Sequence, residues 1–129
     1  MIKETFLIIP RATPRPRVSK NRTYYPKNYT IYKQALELMT KNKRLTMLSG
    51  AVRAELCFYL PIPSSLSKKK RESLNGTYHT KLGDLDNFAK GILDALNGYA
   101  YNDDSQVSEL TVRKIYSFNP RIEIYLRCL

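Results

Sequence analysis

The sequence predicts an α+β fold, a single small domain over residues 1–129 in which a mixed β-sheet carries helices on one face. The 129 residues are 43% hydrophobic, which suffices for one modest core. Apolar residues alternate with a period of two in residues 51–60 and 121–128, whereas residues 30–43 and 84–96 have helical spacing. The order strand, helix, strand, short helix, helix, strand, strand is typical of a layered α+β protein.

The N-terminal part is predicted to hold a strand, a basic arm and a helix. The strand covers Glu4 to Ile9 and ends at Pro10. Residues 10–29 contain six basic side chains, four prolines and three tyrosines but no acid, so they are expected to form an extended arm or an ordered loop. The helix is expected from Thr30 to Lys43, and its core-facing residues are Ile31, Ala35, Leu38 and Met39.

The rest of the chain is predicted to supply three strands and two helices. Residues 51–60 form a half-buried strand that Pro61 ends, and residues 67–75 form a short helix capped by Ser67. The next helix begins at Asp84 and ends at Asn97-Gly98; its apolar stripe is Leu85, Phe88, Ala89, Ile92 and Leu96. Strands 106–116 and 121–128 are expected to pair as an antiparallel hairpin, with Ile122, Ile124, Leu126 and Cys128 facing inward.

Composition excludes several classes of protein. No run of about 18 apolar residues is present, so no membrane span is expected, and the N-terminus lacks the pattern of a signal peptide. Cys57 and Cys128 are expected to be buried free thiols in a cytoplasmic protein, and the single histidine excludes a His-rich metal site.

The aspartates are concentrated in one stretch, residues 81–107. All five lie there, although the chain has a formal net charge of +11. Two unit charges about 5 Å apart repel each other by roughly 3 kcal/mol at an effective dielectric constant near 20. Converging carboxylates therefore shift their pKa values or hold a cation, and Mg²⁺ or Mn²⁺ is the simplest cation for hard oxygen ligands.

The spacing of these aspartates indicates how they are arranged. Asp86, Lys90 and Asp94 are four residues apart and stack along one helix face. Asp103 and Asp104 stand at the entry to a strand, and we expect the helix start and the strand start to meet at one end of the sheet. Such a meeting would suit metal-assisted phosphoryl transfer. The alternative is ordinary helix capping and a solvated charge ladder.

Two motifs resemble the RusA family of Holliday junction resolvases. The first runs Asp84-Leu85-Asp86-Asn87, Lys90, Asp94-Ala95-Leu96-Asn97-Gly98 and Asp103-Asp104; the second is Pro14-Arg15-Pro16-Arg17-Val18 with Tyr25-Pro26-Lys27. The resemblance implies a homodimeric, Mg²⁺-dependent endonuclease that nicks paired strands of four-way DNA junctions. One departure is Leu82-Gly83, which stands where the family usually has Lys-Pro.

The resemblance also implies roles for individual residues. The essential carboxylates are Asp84, Asp86 and Asp104, the supporting lysine is Lys90, and Asp103 is a further metal ligand. Asp94, Asn87 and His79 are expected around them. The cofactor is Mg²⁺, for which Mn²⁺ substitutes; no nucleotide cofactor is expected, and the setting is bacterial or prophage-encoded. DNA contacts are expected from Arg11, Arg15, Arg17, Lys20, Arg22, Lys27 and Tyr25, with base stacking on the arm tyrosines Tyr24, Tyr25 and Tyr29.

Three other functions are compatible with a basic chain of this kind. The first is a non-catalytic protein that binds single-stranded or branched DNA. The second is a nuclease that acts on flaps or forks, and the third is a basic protein-interaction module. Mg²⁺-dependent nicking separates the nucleases from the other two, and the substrate preference separates a resolvase from a flap nuclease.

Overall fold

A mixed four-stranded sheet lies at the centre of the computed structural model, which describes residues 1–129. The strands are β1 (Ile2–Phe6), β2 (Arg17–Ser19), β3 (Arg22–Tyr24), β4 (Val52–Pro61), β5 (Val107–Ser117) and β6 (Arg121–Cys128). The helices are α1 (Lys27–Lys43), α2 (Lys68–Leu74) and α3 (Leu85–Ala95), and a 3₁₀ turn covers Asp104–Gln106. The sheet order is β1-β6-β4-β5, and β2 and β3 form a separate hairpin. The predicted α+β class is therefore confirmed.

The core lies between one face of the sheet and the helices. Strand β4 shows the expected alternation, because Val52, Ala54, Leu56, Phe58 and Leu60 are all buried while the residues between them are half-buried. Strand β6 and the inner faces of α1 and α3 complete this core with Ile122, Ile124, Leu126, Tyr32, Leu36, Phe88, Ala89 and Ile92. The helices thus cover one face of a mixed sheet, as predicted.

The predicted hairpin of the last two strands was wrong. Both strands exist, but β4 lies between them, parallel to β5 and antiparallel to β6. Ser117 pairs with Pro61 and Arg121 pairs with Tyr59, so residues 118–120 cross over the end of β4. The turn residues between β5 and β6 indicate only that the chain reverses direction there. They do not indicate whether the two strands pair with each other or with a third strand that lies between them, as β4 does.

Helix α1 presents a different face to the core from the one predicted. It begins at Lys27 rather than Thr30, and its buried residues are Tyr29, Tyr32, Leu36 and Thr40. Ile31 and Leu38 are 54% and 60% exposed, so their predicted burial was wrong. The reason is the contact with α3 at Gly91, where a Cβ atom would lie 3.2 Å from the Tyr29 hydroxyl. A glycine there lets two large tyrosines approach α3, and the tyrosine face turns inward.

The remaining differences are smaller. Strand β1 covers Ile2–Phe6 instead of residues 4–9. Both cysteines are free as expected, but the predicted burial was wrong. Cys128, the last residue of β6, is exposed, and Cys57 lies on the half-buried face of β4. The cap of α2 is as predicted, since the Ser67 hydroxyl accepts the Lys70 N–H at 3.2 Å. None of the helices combines the length and the apolar composition that a membrane span requires.

Candidate active site

The N-terminal end of α3 presents two unpaired carboxylates. The stripe of Phe88, Ala89 and Ile92 buries one side of the helix. Asp84 and Asp86 lie on the exposed side, and their carboxylates form no hydrogen bond or ion pair within the chain. Asp84 occupies the N-cap position, but its side chain accepts no capping hydrogen bond. The positive end of the helix dipole favours negative charge at this place, and both carboxylates are free to bind a ligand.

A second acidic group lies at the C-terminal end of α3. It consists of Asp94, Asp103 and Asp104. Asp103 caps the 3₁₀ turn by accepting the Ser105 N–H at 3.1 Å, and this hydrogen bonding lowers its pKa. Burial raises the pKa of Asp104, and the neighbouring Asp94 and Asp103 carboxylates raise it further. The two pKa shifts have opposite directions because hydrogen-bond donors stabilise the charged form of Asp103, whereas burial and then the neighbouring carboxylates disfavour the charged form of Asp104.

The two acidic groups are separated along α3. The helical rise places Asp86 and Asp94 about 12 Å apart along the helix axis, and Lys90 lies midway between them. No group of three or more His, Cys, Asp or Glu side chains is arranged to hold a metal ion. The expected meeting of helix start and strand start is not found, because Asp104, in the turn before β5, lies beside Asp94 near the end of α3 and not beside Asp84 or Asp86 at its start.

Asp94 forms an ion pair with Lys33 of α1 and not with Lys90, its neighbour one turn earlier on α3. The Lys33 Nζ lies 3.5 Å from Asp94 Oδ2, whereas Lys90 is exposed and forms no ion pair. Lys33, Lys90 and Asp94 line one pocket of about 200 Å³ together with Thr13, Tyr25, Tyr29 and Thr30. The sequence did not indicate Lys33, because its position depends on the packing of α1 against α3 and no local motif includes it.

The basic arm crosses α3 beside this pocket. The Thr13 N–H donates a hydrogen bond to the Asn87 carbonyl oxygen at 2.9 Å. The hydroxyls of Thr13 and Tyr29 are 2.7 Å apart, and both are buried. The Tyr25 ring packs on Tyr29 at a centroid distance of 5.3 Å. These contacts attach the arm to the helix that carries the aspartates, and Asn87 takes part through its backbone.

The cations of the arm are exposed and unpaired. None of them forms an ion pair, and the set comprises Arg11, Arg15, Arg17, Lys20, Arg22 and Lys27. The arm is more ordered than an extended segment, since β2 and β3 pair across a turn in which Lys20 has a φ of 40°. Tyr24 and Tyr25 are exposed. Tyr29 is buried, so the expected stacking of a base on Tyr29 was wrong.

His79 packs against β5 near the end where α3 begins. Its ring lies 4.5 Å from the Tyr116 ring, and its backbone N–H donates to the Lys114 carbonyl oxygen at 3.0 Å. Burial lowers the pKa of His79, and Lys114 and Lys81 lower it further. The imidazole is therefore neutral near pH 7 and suited to packing rather than to binding phosphate by charge.

The donor set fits a hard divalent cation. Asp84 and Asp86 offer free oxygens at one end of α3, and Asp104 offers a carboxylate whose neighbours repel its negative charge. Mg²⁺ is bound in proteins by one or two carboxylates together with water and substrate phosphate oxygens. A site of this kind does not require three preassembled protein ligands.

Comparison with known proteins covers nearly the whole chain. The family model described as Endodeoxyribonuclease RusA matches residues 8–127, from the segment that follows β1 to the last strand of the sheet. The chain is also similar to the uncharacterized protein YqaN of Bacillus subtilis (strain 168). The two are 38% identical over 135 aligned positions, which cover 98% of this chain and 95% of that protein. With the basic arm, α3 and β5 all inside the matched range, this chain belongs to the RusA endodeoxyribonuclease family.

Proposed function

We propose that this protein is a Mg²⁺-dependent endonuclease that resolves four-way DNA junctions by paired nicks. Membership in an endodeoxyribonuclease family supports DNA hydrolysis as the reaction. The observation that carries the proposal is the contact of the basic arm (residues 10–29) with α3. Through this contact, the unpaired cations of the arm lie beside the face of α3 that carries Asp86, Lys90 and Asp94.

The arm binds the DNA backbone in this proposal. Its exposed arginines and lysines have no internal partners, so they can neutralise phosphates without first breaking ion pairs. Each neutralised phosphate releases counterions, which makes binding dependent on salt concentration. Tyr25 lies in the same pocket as Lys90, where it is positioned to stack on an unpaired base at the branch point.

Asp84 and Asp86 at the start of α3, and Asp104 near its end, are the proposed ligands of one or two divalent cations, with Asp103 next to Asp104. When bound, Mg²⁺ supplies an activated water and stabilises the leaving 3′ oxygen. Because neither end of α3 carries a complete ligand set in the free protein, phosphate oxygens of the DNA complete the coordination of each ion in this proposal. The protein alone is therefore expected to bind Mg²⁺ weakly.

Lys90 is proposed to neutralise charge on the phosphate under attack. It is exposed, unpaired and midway between the two acidic groups, so a phosphate above α3 can reach it. Lys33 holds Asp94 and keeps that carboxylate from pairing with Lys90. Asp94 and Lys33 thus act as positioning residues, and Asn87 holds the arm through its carbonyl oxygen.

A homodimer fits the need for two nicks. Two opposed strands of a four-way junction must be cut, and a twofold-symmetric pair of subunits presents two equivalent sites. We place the protein in the cytoplasm of a bacterium or in a prophage-encoded setting, where such junctions arise during recombination and repair.

The direct test is cleavage of a labelled four-way junction with and without Mg²⁺. We expect the wild-type protein to nick the junction only with the metal, and to act poorly on flap and linear duplexes of the same sequence. Asp86→Asn should reduce cleavage by at least a hundredfold while junction binding is retained, because it removes a ligand oxygen from an exposed side chain. Glu72→Gln on α2 is the matched control, since it removes an exposed acid outside the site.

Two outcomes would contradict the proposal. If Asp86→Asn loses binding in proportion to cleavage, Asp86 has a structural role. If the wild-type protein binds junctions but never nicks them with Mg²⁺ or Mn²⁺, the non-catalytic DNA-binding alternative is correct.

A further inference from the structure

The loop before Asp84 exposes the apolar side chain of Leu82 to solvent. Leu82 is 96% exposed, which makes it the most exposed large apolar residue of the chain. It lies two residues before Asp84, and Tyr78 on the same segment is 71% exposed. Single exposed leucines are common on protein surfaces and need no explanation by themselves. The way in which this loop is fixed distinguishes Leu82 from them.

Lys114 of β5 ties the loop on both sides of Leu82. Its Nζ donates hydrogen bonds to the Lys81 carbonyl oxygen at 3.1 Å and to the Gly83 carbonyl oxygen at 2.7 Å. Just upstream, Tyr78 forms a bridge with Ile115, and the His79 N–H donates to Lys114. The backbone around Leu82 is thus anchored to the sheet, and little conformational entropy remains to be lost when the side chain binds something.

Gly83 gives the loop its direction. Its φ of +107° is one that L side chains rarely adopt, and a Cβ atom at this position would overlap the Phe88 ring. The backbone therefore lies directly on Phe88 in the first turn of α3. Phe88 itself is buried against Phe58. With the backbone pressed against the core, the side chain of Leu82 has no apolar surface to fold onto and points into solvent.

We propose that Leu82 is a wedge that enters the stack of bases at the branch point of the DNA. This inference rests on the proposed function and adds an apolar insertion between bases to the base stacking proposed for Tyr25 of the arm. Apolar side chains inserted between base steps unstack and kink DNA. At a branch point the stack is already interrupted, so a rigid leucine enters there more easily than in a continuous duplex.

The surroundings of Leu82 favour DNA over a protein partner. Lys81 is exposed next to it, Asp84 and Asp86 follow within four residues, and the chain has a net charge of +11. A wedge beside phosphate-binding groups positions the phosphate of an adjacent nucleotide near the carboxylates. Leu82 is thereby a positioning and specificity residue for junction cleavage, and Tyr78 offers an aromatic face to the displaced base.

The test uses a four-way junction with 2-aminopurine at the branch point, whose fluorescence rises when the base is unstacked. Binding is measured in EDTA, so that no cleavage interferes. We expect the wild-type protein to raise the fluorescence several-fold at saturation. Leu82→Ala should lose most of this rise, and Leu82→Phe should retain it. Leu38→Ala is the matched control, because Leu38 is an exposed leucine on α1, outside the proposed site.

The outcomes separate this inference from the proposed function. With Mg²⁺, Leu82→Ala should cleave junctions at least tenfold more slowly while its melting temperature stays unchanged, since the side chain packs on nothing. An unstacking signal equal to the wild type would overturn the wedge alone. A wild-type protein that binds junctions no better than linear duplex, and does not cleave them, would overturn the proposed function and the wedge together.

Discussion

Among the aspartates of the site, Asp104 is the one whose negative charge is disfavoured by its surroundings. Burial raises its pKa, and two further aspartates face it across the end of α3. Only Asp94 of this group has a cationic partner, which is Lys33. In the absence of a cation, the folded state therefore carries unrelieved repulsion. A residue kept where it reduces stability is common at functional sites.

We accordingly predict that Asp104→Asn stabilises the metal-free protein. Like-charge repulsion near a surface is worth a few tenths of a kcal/mol to about 1 kcal/mol, which corresponds to a rise of roughly 1–4 °C in melting temperature. The measurement is thermal unfolding in EDTA at pH 7. Asp84→Asn is the control and should give no rise, because Asp84 has no acidic neighbour of this kind and lies at a helix N-terminus that favours negative charge. A lower melting temperature for Asp104→Asn would show that its carboxylate stabilises the fold.

At the scale of elements, the arm and α3 form one unit. The arm reaches α3 through a backbone hydrogen bond to Asn87 and through the buried hydroxyls of Thr13 and Tyr29. Gly91 permits this close approach. The β2–β3 hairpin then extends beyond the contact with every residue exposed. In the proposed function, a DNA backbone bound along the arm would reach the face of α3 that carries Asp86 and Lys90.

We predict that the arm contributes to the salt dependence of junction binding. Replacing Arg15 and Arg17 together by alanine should weaken junction binding, because fewer counterions are released from the DNA. The slope of log K against log salt should become shallower by about one unit for each phosphate that the variant no longer neutralises. The measurement is a fluorescence-anisotropy titration at several salt concentrations in EDTA.

Lys68→Ala with Lys69→Ala is the matched control for the arm variant. It removes the same charge from α2, whose first two lysines are also exposed. An unchanged slope for the arm variant, or an equal change for the α2 variant, would show that the arm is not a distinct part of the interface.

At the scale of the whole molecule, the sheet positions the site. Strand β4 lies between β5 and β6, and Lys114 on β5 anchors the loop before α3 while the start of β5 lies by the end of that helix. One subunit therefore presents one line of carboxylates along α3. In the proposed function, cutting two strands of a junction requires a second such line, which a twofold-symmetric partner would provide.

Mixed dimers test the paired nicks. A supercoiled plasmid with an extruded cruciform becomes linear when both strands are cut within one complex, and becomes a nicked circle when only one is cut. Wild-type protein should yield mainly linear product. Heterodimers purified with one wild-type and one Asp86→Asn subunit should yield mainly nicked circles. If linear product still dominates, one active site cuts both strands; sedimentation equilibrium checks that the dimer exists.

Much of the fold could be predicted from local patterns. The alternation in β4 and β6, the cap of α2 at Ser67 and the stripe of α3 depend on residue spacing and on side chains close in sequence. The motif around Asp84, Asp86 and Lys90 can also be recognised from the sequence alone, because these residues lie within two turns of one helix. The family follows from the same residues.

Tertiary packing decided the rest. It selected Tyr29 and Tyr32 over Ile31 and Leu38 as the inner face of α1, since both faces are apolar and only the neighbour at Gly91 distinguishes them. It also placed β4 between the last two strands and paired Asp94 with Lys33. Asp104 came to lie beside Asp94 near the end of α3, away from Asp86 at the start of that helix. Periodicity in a sequence specifies which side of an element avoids water. Which elements then meet depends on the shapes and charges of residues far apart in the chain, and no local pattern contains that information.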